Sequence, residues 1–287
     1  MPAEDQRLRA LLDAQTRLVR ATEAERALGE DAQAWLEAGG LGSGDAAELA
    51  ALGPRRLLVY RRHVRRALHR AVRQEIPRTA ARLGPAFAPW VERWIDEESP
   101  RSRYFRDVAF ELVAWAVPQW REGSEVPAYL CDLARHELAY FDVASAPDED
   151  REGPLLVDTD RSTGEAPDPR AIALDRGVRF AASARLCRYD HAVHRLDAAL
   201  EARDEPAREP TALLAYRDAE HDVHFLELTP LAAGILGALL RGEPLGQAVV
   251  GACAAQGHPL DPAVTHSTAA LLGDLLERGA IVGGEAC

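Results

Sequence analysis

The sequence predicts a mainly α protein, with an all-helical first part followed by a small α+β domain. Three observations carry this prediction. Apolar residues recur at three- and four-residue spacing through most of residues 1–145, and a stretch rich in Pro, Gly, Asp and Glu then interrupts them. Beyond it, short alternating runs give way to three helical segments that each open on a proline.

The first element is one helix or two between Asp5 and Glu37, with Leu8, Leu11, Leu12, Leu18, Leu28, Trp35 and Leu36 at helical spacing. The run AGGLGSGD then reads as a loop. Helices follow over Leu57–Gln74, Ala86–Glu97, Tyr104–Ala116 and Tyr129–Val143, with a turn or helix opened by Pro77 and running to Leu83 after the first of them. The acidic, Pro/Gly-rich stretch APDEDREGPLLVDTDRSTGEAPDPR reads as a linker, giving a helical domain over 1–145, a linker over 146–175 and an α+β domain over 176–287.

Within the α+β domain, VRFAASARLCRY, ALLAYR and VHFLEL have the short apolar runs of strands, the last two joined by the turn DAEHD. Thr229 and Pro230 then supply a helix N-cap and first position. Gly242 ends that helix, Pro244 opens the next, and Asp261 with Pro262 starts a third that runs to Gly279. Ala280–Val282 reads as a closing strand. Two strands, three short helices and a final strand make a unit like a winged helix.

Composition narrows the function classes. With 47% hydrophobic and 28% charged residues the chain is globular, and a formal net charge of -12 repels polyphosphate over most of the surface. All 34 basic residues are arginine. The four cysteines are far apart, which suggests neither a zinc site nor a disulfide framework, and together with the missing signal-peptide pattern this points to the cytoplasm. No apolar run approaches the length of a membrane span, so no membrane association is expected.

The densest charge lies in LLVYRRHVRRALHRAVRQEIPRTAARLG, Leu57–Gly84. A helical-wheel reading puts Leu57, Tyr60, Val64, Ala67, Leu68, Ala71 and Val72 on one face, with Arg61, Arg62, Arg65, His69 and Arg73 largely opposite. Arg61, Arg62, Arg65 and Arg73 are therefore candidate partner-interface residues. The same pattern also suits a solvated face or contact with DNA.

Two histidine pairs, His191 with His194 and His221 with His224, invite a metal reading. Neither pair has an obvious third ligand nearby, and the second lies in or beside a strand, where that spacing points to opposite faces. Asp132, His136 and Glu137 in YLCDLARHELAY lack a nucleophile or orienting group supplied by motif. No nucleophile elbow, P-loop, dinucleotide fingerprint or HExxH site is present. No catalytic, cofactor-binding or metal-ligating residue is assigned, and the pattern favours a binding protein over an enzyme.

Taken together, RLLVYRRHVRRALHRAVRQEIPRTAARLG, FAPWVERWIDEESPRS and YLCDLARHELAYFDV resemble the N-terminal domain of the HvfC/BufC family, whose methanobactin-pathway relatives are the MbnC-like partner proteins. That domain is commonly labelled DNA-binding. The recognisable elements are the start around Tyr60 and Arg61, Ile76-Pro77-Arg78-Thr79, Pro100-Arg101-Ser102, and Leu133-Ala134-Arg135 with Glu137. SARLCRYDHAVHRL and ALLAYRDAEHDVHFLELTPLAAGILGALLRGEPLGQAV are similar to the C-terminal part of the same family. The tail over 228–284 also looks like the winged-helix modules that capture leader peptides. The Pro100 segment lacks the family's more usual histidine and glycine, and the acidic linker is long.

The resemblance implies an accessory subunit that binds a ribosomally made precursor peptide and presents it to an iron-dependent TIM-barrel enzyme. It holds no cofactor in this chain, since the iron is in the partner. It also implies peptide binding along Val223–Leu228, through Val223, Phe225 and Glu227, with Leu271 and Leu275 as the groove wall. The second reading is a DNA-binding transcriptional regulator, and it rests on the arginine helix and the winged-helix-like tail. Nucleic acid is not the expected partner, because the last helix carries one arginine and two acids near its C-terminal end.

Overall fold

The computed structural model describes residues 3–147 and 172–284, so most of the linker read over 146–175 lies outside the described residues. The chain forms two compact units. The first runs to Ala134 and includes Ala198–Arg203; the second comprises Arg135–Asp197 and the chain from Asp204 onward.

The first unit is helical: α1 (Ala3–Arg20), α2 (Ala24–Ala38), α3 (Ser43–Ala51), α4 (Pro54–Glu75), α5 (Pro77–Leu83), α6 (Phe87–Glu97) and α7 (Val108–Glu122). The division between units falls within α8 (Tyr129–Ser145). Leu18, Leu28, Trp35, Leu36, Leu57 and Leu58 bring α1, α2 and α4 to one apolar cluster. Further along α4, Leu68, Val72 and the following Ile76 are buried, as are Phe87, Val91, Trp94 and Ile95 of α6 and Leu112 of α7.

The largest differences from the sequence reading are at α3 and α7. AGGLGSGD is not a loop throughout, because α3 begins inside it at Ser43. Ala46 of α3 is fully buried, and Leu49 and Ala50 pack against the same cluster, so burial and the helix-favouring residues 46–51 together outweigh the weak propensity of Ser43, Gly44 and Asp45. α7 begins later than Tyr104, after a single 3-10 turn at Phe105–Asp107, and continues past Pro118 to Glu122. Trp120, beyond the proline, is only 2% exposed, and its burial favours carrying the helix on.

Between α6 and α7, Ser99 ends α6 in the left-handed region (φ 61°). Its hydroxyl donates to Ile95 O (2.7 Å) and accepts from Arg20 Nε (3.0 Å). Glu111 then takes the main-chain N–H groups of Arg101 (2.8 Å) and Ser102 (2.7 Å), which fixes the Pro100-Arg101-Ser102 segment from α7.

The second unit contains β1 (Val178–Phe180), β2 (Arg185–Tyr189), β3 (Thr211–Arg217), β4 (Val223–Leu228), α9 (Pro230–Leu239), α10 (Leu245–Gln256), α11 (Pro262–Glu277) and β5 (Ile281–Gly284). The stretch VRFAASARLCRY is thus two strands. β2, β3 and β4 form an antiparallel sheet in that order, while β5 pairs with β1 in a separate two-stranded sheet. The closing strand therefore joins a strand that precedes the hairpin and does not extend the hairpin itself.

Thr229 and Asp261 accept N-cap hydrogen bonds from Ala232 N (3.2 Å) and Val264 N (2.9 Å). The apolar faces of α9, α10 and α11 bury Ile235, Leu236, Leu239, Leu245, Val249, Leu272 and Leu275 against Leu214, Tyr216 and Leu228 of the sheet. Gly237 permits close approach of α9 to the sheet, since a Cβ there would stand 3.2 Å from a Leu186 methyl.

Candidate functional site

The candidate site is the outer edge of β4. Among the described residues, no strand pairs with β4 on the side away from β3. The five-residue turn before it is fixed locally. Asp218 accepts from the N–H groups of Glu220 (3.0 Å) and Asp222 (2.9 Å) and from His224 Nε2 (2.5 Å), and His221 supplies the left-handed residue (φ 69°). The His224 bond, more than the two main-chain bonds, holds the Asp218 carboxyl below its ordinary range.

Main-chain parity along β4 follows from that turn. Asp218 N donates to Asp222 O (3.0 Å), and the register runs from Arg217↔Val223 to Ala212↔Leu228 without a shift. Hydrogen-bonded and non-hydrogen-bonded pairs alternate in an antiparallel ladder. His224, Leu226 and Leu228 therefore exchange bonds with β3, and Val223, Phe225 and Glu227 turn their N–H and C=O groups outward. Arg217 N, which donates to Ser183 Oγ (3.2 Å) and not toward β4, fits the same parity.

Side chains obey the opposite logic. Leu228 is buried on the face that packs against α9–α11, with Leu226 packed beside it. Phe225, on the other face, lies 4.5 Å from the His136 ring of α8. Glu227 pairs with His194 Nε2 (3.1 Å) and Arg195 (2.6 Å). The His194 bond holds its carboxyl low; burial opposes this, and Arg195 adds to the lowering.

The expected groove set is therefore corrected in its geometry. Val223, Phe225 and Glu227 offer main-chain groups at the edge, but their side chains face away from α11. Leu275 is fully buried in the core, and Leu271 is half-buried against it. The side chains of β4 on the α11 face are His224, Leu226 and the buried Leu228, and sequence reading did not assign them to that face. The two-residue alternation of VHFLEL carried that information, but only the packing of the sheet decides which parity faces the helices.

The opposite edge, β2, differs in its chemistry. It carries Arg185, which holds Asp142 (2.7 Å), and Arg188, which donates to Ala233 O (2.8 Å). Charged residues on an edge disfavour further pairing. β4 carries no arginine and a single carboxylate, Glu227, which His194 and Arg195 hold.

The arginine helix α4 is corrected as well. Arg61 and Arg65 lie within the buried stripe that also holds Leu57, Leu58, Leu68 and Val72, and Tyr60 is 52% exposed. Arg61 follows Leu57 by four residues and Arg65 precedes Leu68 by three, so both share the apolar face. Arg61 donates to Leu18 O (3.2 Å) and Val19 O, satisfying carbonyls in the last turn of α1. Burial, and then neighbouring Arg65, lower its pKa. Arg65 bridges Glu92 and Asp96, and His69 also reaches Glu92 (2.7 Å). Burial works against ionised Glu92, but the bonds from His69 and Arg65 outweigh it and hold the carboxyl low. Arg62 and Arg73 are exposed; Arg62 donates to Arg55 O (2.9 Å), and the Arg73 guanidinium stands 4.6 Å over the Phe87 ring.

The other candidates separate. His194 bonds Glu227 and His224 bonds Asp218, while Asp132, His136 and Glu137 are buried on α8. Among the described residues, no group of three or more His, Cys, Asp or Glu is placed to hold a metal ion, and no helix is long and apolar enough to cross a membrane.

Charge is divided unevenly along the chain. Residues 1–134 hold 20 arginines and 20 carboxylates, whereas residues 135–287 hold 14 and 26 and so carry the whole net charge of -12. Comparison with curated proteins finds no match. Residues 181–276, from the turn before β2 to the last turn of α11, match the model of the HvfC C-terminal domain, and this part of the chain is similar to that family.

Proposed function

We propose that this chain is a non-catalytic accessory subunit that captures an extended segment of a ribosomally made precursor peptide along β4 and presents it to an iron-dependent TIM-barrel enzyme. The observation that supports this reading best is the outward main chain of Val223, Phe225 and Glu227 at an edge without arginine, within the segment that matches the HvfC C-terminal domain. Strand addition draws its affinity from such main-chain groups and its selectivity from alternate side chains. On this reading the chain holds no cofactor, the iron resides in the partner, and the complex works in the cytoplasm.

Co-expression of the full chain with the iron enzyme encoded nearest to it and the accompanying precursor is expected to yield one co-purifying complex. Elution of the chain alone beside both partners would sink the proposal. A transcriptional regulator is the second reading, favoured by the exposed Arg55, Arg56, Arg62, Arg66, Arg70 and Arg73 on α4. It requires a gel shift at low salt that weakens steeply as salt is added. The partner-interface role of Arg62 and Arg73 belongs to the accessory reading; Arg61 and Arg65 are taken up inside the first unit.

A further inference from the structure

We infer that the peptide segment taken up by β4 carries arginine or lysine at the end lying beside the turn Asp218–Asp222, with apolar residues at alternate positions along the strand. This rests on the proposed strand addition at β4 and adds the chemistry of the occupant.

The two ends of β4 differ electrostatically. At the Val223 end stands the turn with Asp218, Glu220 and Asp222. Asp218 is engaged by His224, but Glu220 and Asp222 are exposed, and their main-chain N–H groups are what bind Asp218. At the Leu228 end, Glu227 is offset by His194 and Arg195, and the next residues, Thr229 and Pro230, begin α9. A helix N-terminus favours negative charge. A cation on the bound strand is thus drawn toward the turn and not toward α9. Between the two ends, half-buried Leu226 on β4 and half-buried Leu271 and Val264 on α11 border the same apolar core. Side chains of an added strand alternate between faces, so every second residue meets this apolar side.

The test is a displayed library of random twelve-residue peptides selected on the full chain and counter-selected on Val223→Pro. This substitution removes one outward N–H and leaves the β3 ladder its bonds. Enriched sequences are expected to alternate apolar residues and to end in Arg or Lys at one terminus. Which terminus it is reports whether the strand adds parallel or antiparallel. The double surface variant Glu220→Gln/Asp222→Asn, which keeps the main-chain bonds of the turn, is expected to bind the enriched peptides about fivefold more weakly at low salt, with the difference shrinking as salt rises. Enrichment that depends on Val223 but shows no basic bias, or binding unchanged in the double variant, would overturn the charge inference and leave strand addition standing. Enrichment indifferent to Val223→Pro would overturn both.

Discussion

The helical unit and the α+β unit put charge to different uses. In the helical unit three arginines are internal parts: Arg61 closes the last turn of α1, Arg65 ties α4 to two carboxylates of α6, and Arg17 stacks 4.1 Å over Trp35. In the α+β unit the central core of the sheet and α9–α11 is apolar, and the carboxylates lie mainly at turns and edges. The difference teaches that a count of arginines says little about a surface until burial sorts them. Of the four residues expected to form a basic interface, two hold the fold together.

This contrast can be broken experimentally, because all five tryptophans, Trp35, Trp90, Trp94, Trp115 and Trp120, lie in residues 1–134. Tryptophan fluorescence therefore follows the helical unit, and far-ultraviolet circular dichroism follows both. The largest effect is expected from Leu275→Ala, which removes a fully buried side chain from the α9–α11 core and should cost about 3 to 4 kcal/mol. It should appear in the dichroism melt. Leu271→Ala, at a half-buried position, should cost about 1 kcal/mol. Equal losses from the two would contradict the assignment of Leu275 to the core.

Arg65→Met comes next, at about 2 to 3 kcal/mol. Breaking a buried ion pair strands its partners, but here Glu92 is 42% exposed and recovers some hydration. The loss should be visible in denaturant unfolding followed by tryptophan fluorescence. Arg66→Gln, one residue along and exposed, should change stability by less than about 0.5 kcal/mol. If the two variants behaved alike, the division of α4 into internal and external arginines would fail.

Acid supplies a third, smaller perturbation. Folding lowers the Glu92 carboxyl, so its stabilisation is in place above the unfolded value of about 4.3 and is lost as pH falls through the lower folded value. Fluorescence-detected melting should therefore hold steady from neutral pH down to about pH 5 and then fall. Glu92→Gln should flatten that decline. Glu75 has the opposite sign: burial raises its carboxyl, so ionisation at neutral pH opposes folding. Glu75→Gln is expected to raise the melting temperature slightly at pH 7 and to have no effect well below the usual glutamate range, as a melting series across pH would show.

Much of the helical order was legible from spacing alone. The bounds Pro77 and Leu83 were read from sequence for a turn or helix that the structure shows to be a helix, and the caps at Thr229 and Asp261 were visible because capping is chemistry between neighbours in sequence. Less legible were α3, whose start at Ser43, Gly44 and Asp45 has the composition of a loop, and the far end of α7, where Trp120 carries the helix beyond Pro118. At the candidate site, VHFLEL gave the strand and its alternation. It did not give the face.

The sequence by itself determined the order of elements, the acidic stretch between them, and a resemblance whose C-terminal part falls within the matched span. These depend on residues close along the chain or on recurring patterns. Only the tertiary structure decided that Arg61 and Arg65 turn inward, that Leu275 belongs to the core, and that β4, among the described residues, ends its sheet with Val223, Phe225 and Glu227 directed outward. The physical reason is that burial and strand pairing join residues distant in sequence. A spacing shows which side chains share a face, and the neighbour packed against that face decides what it does.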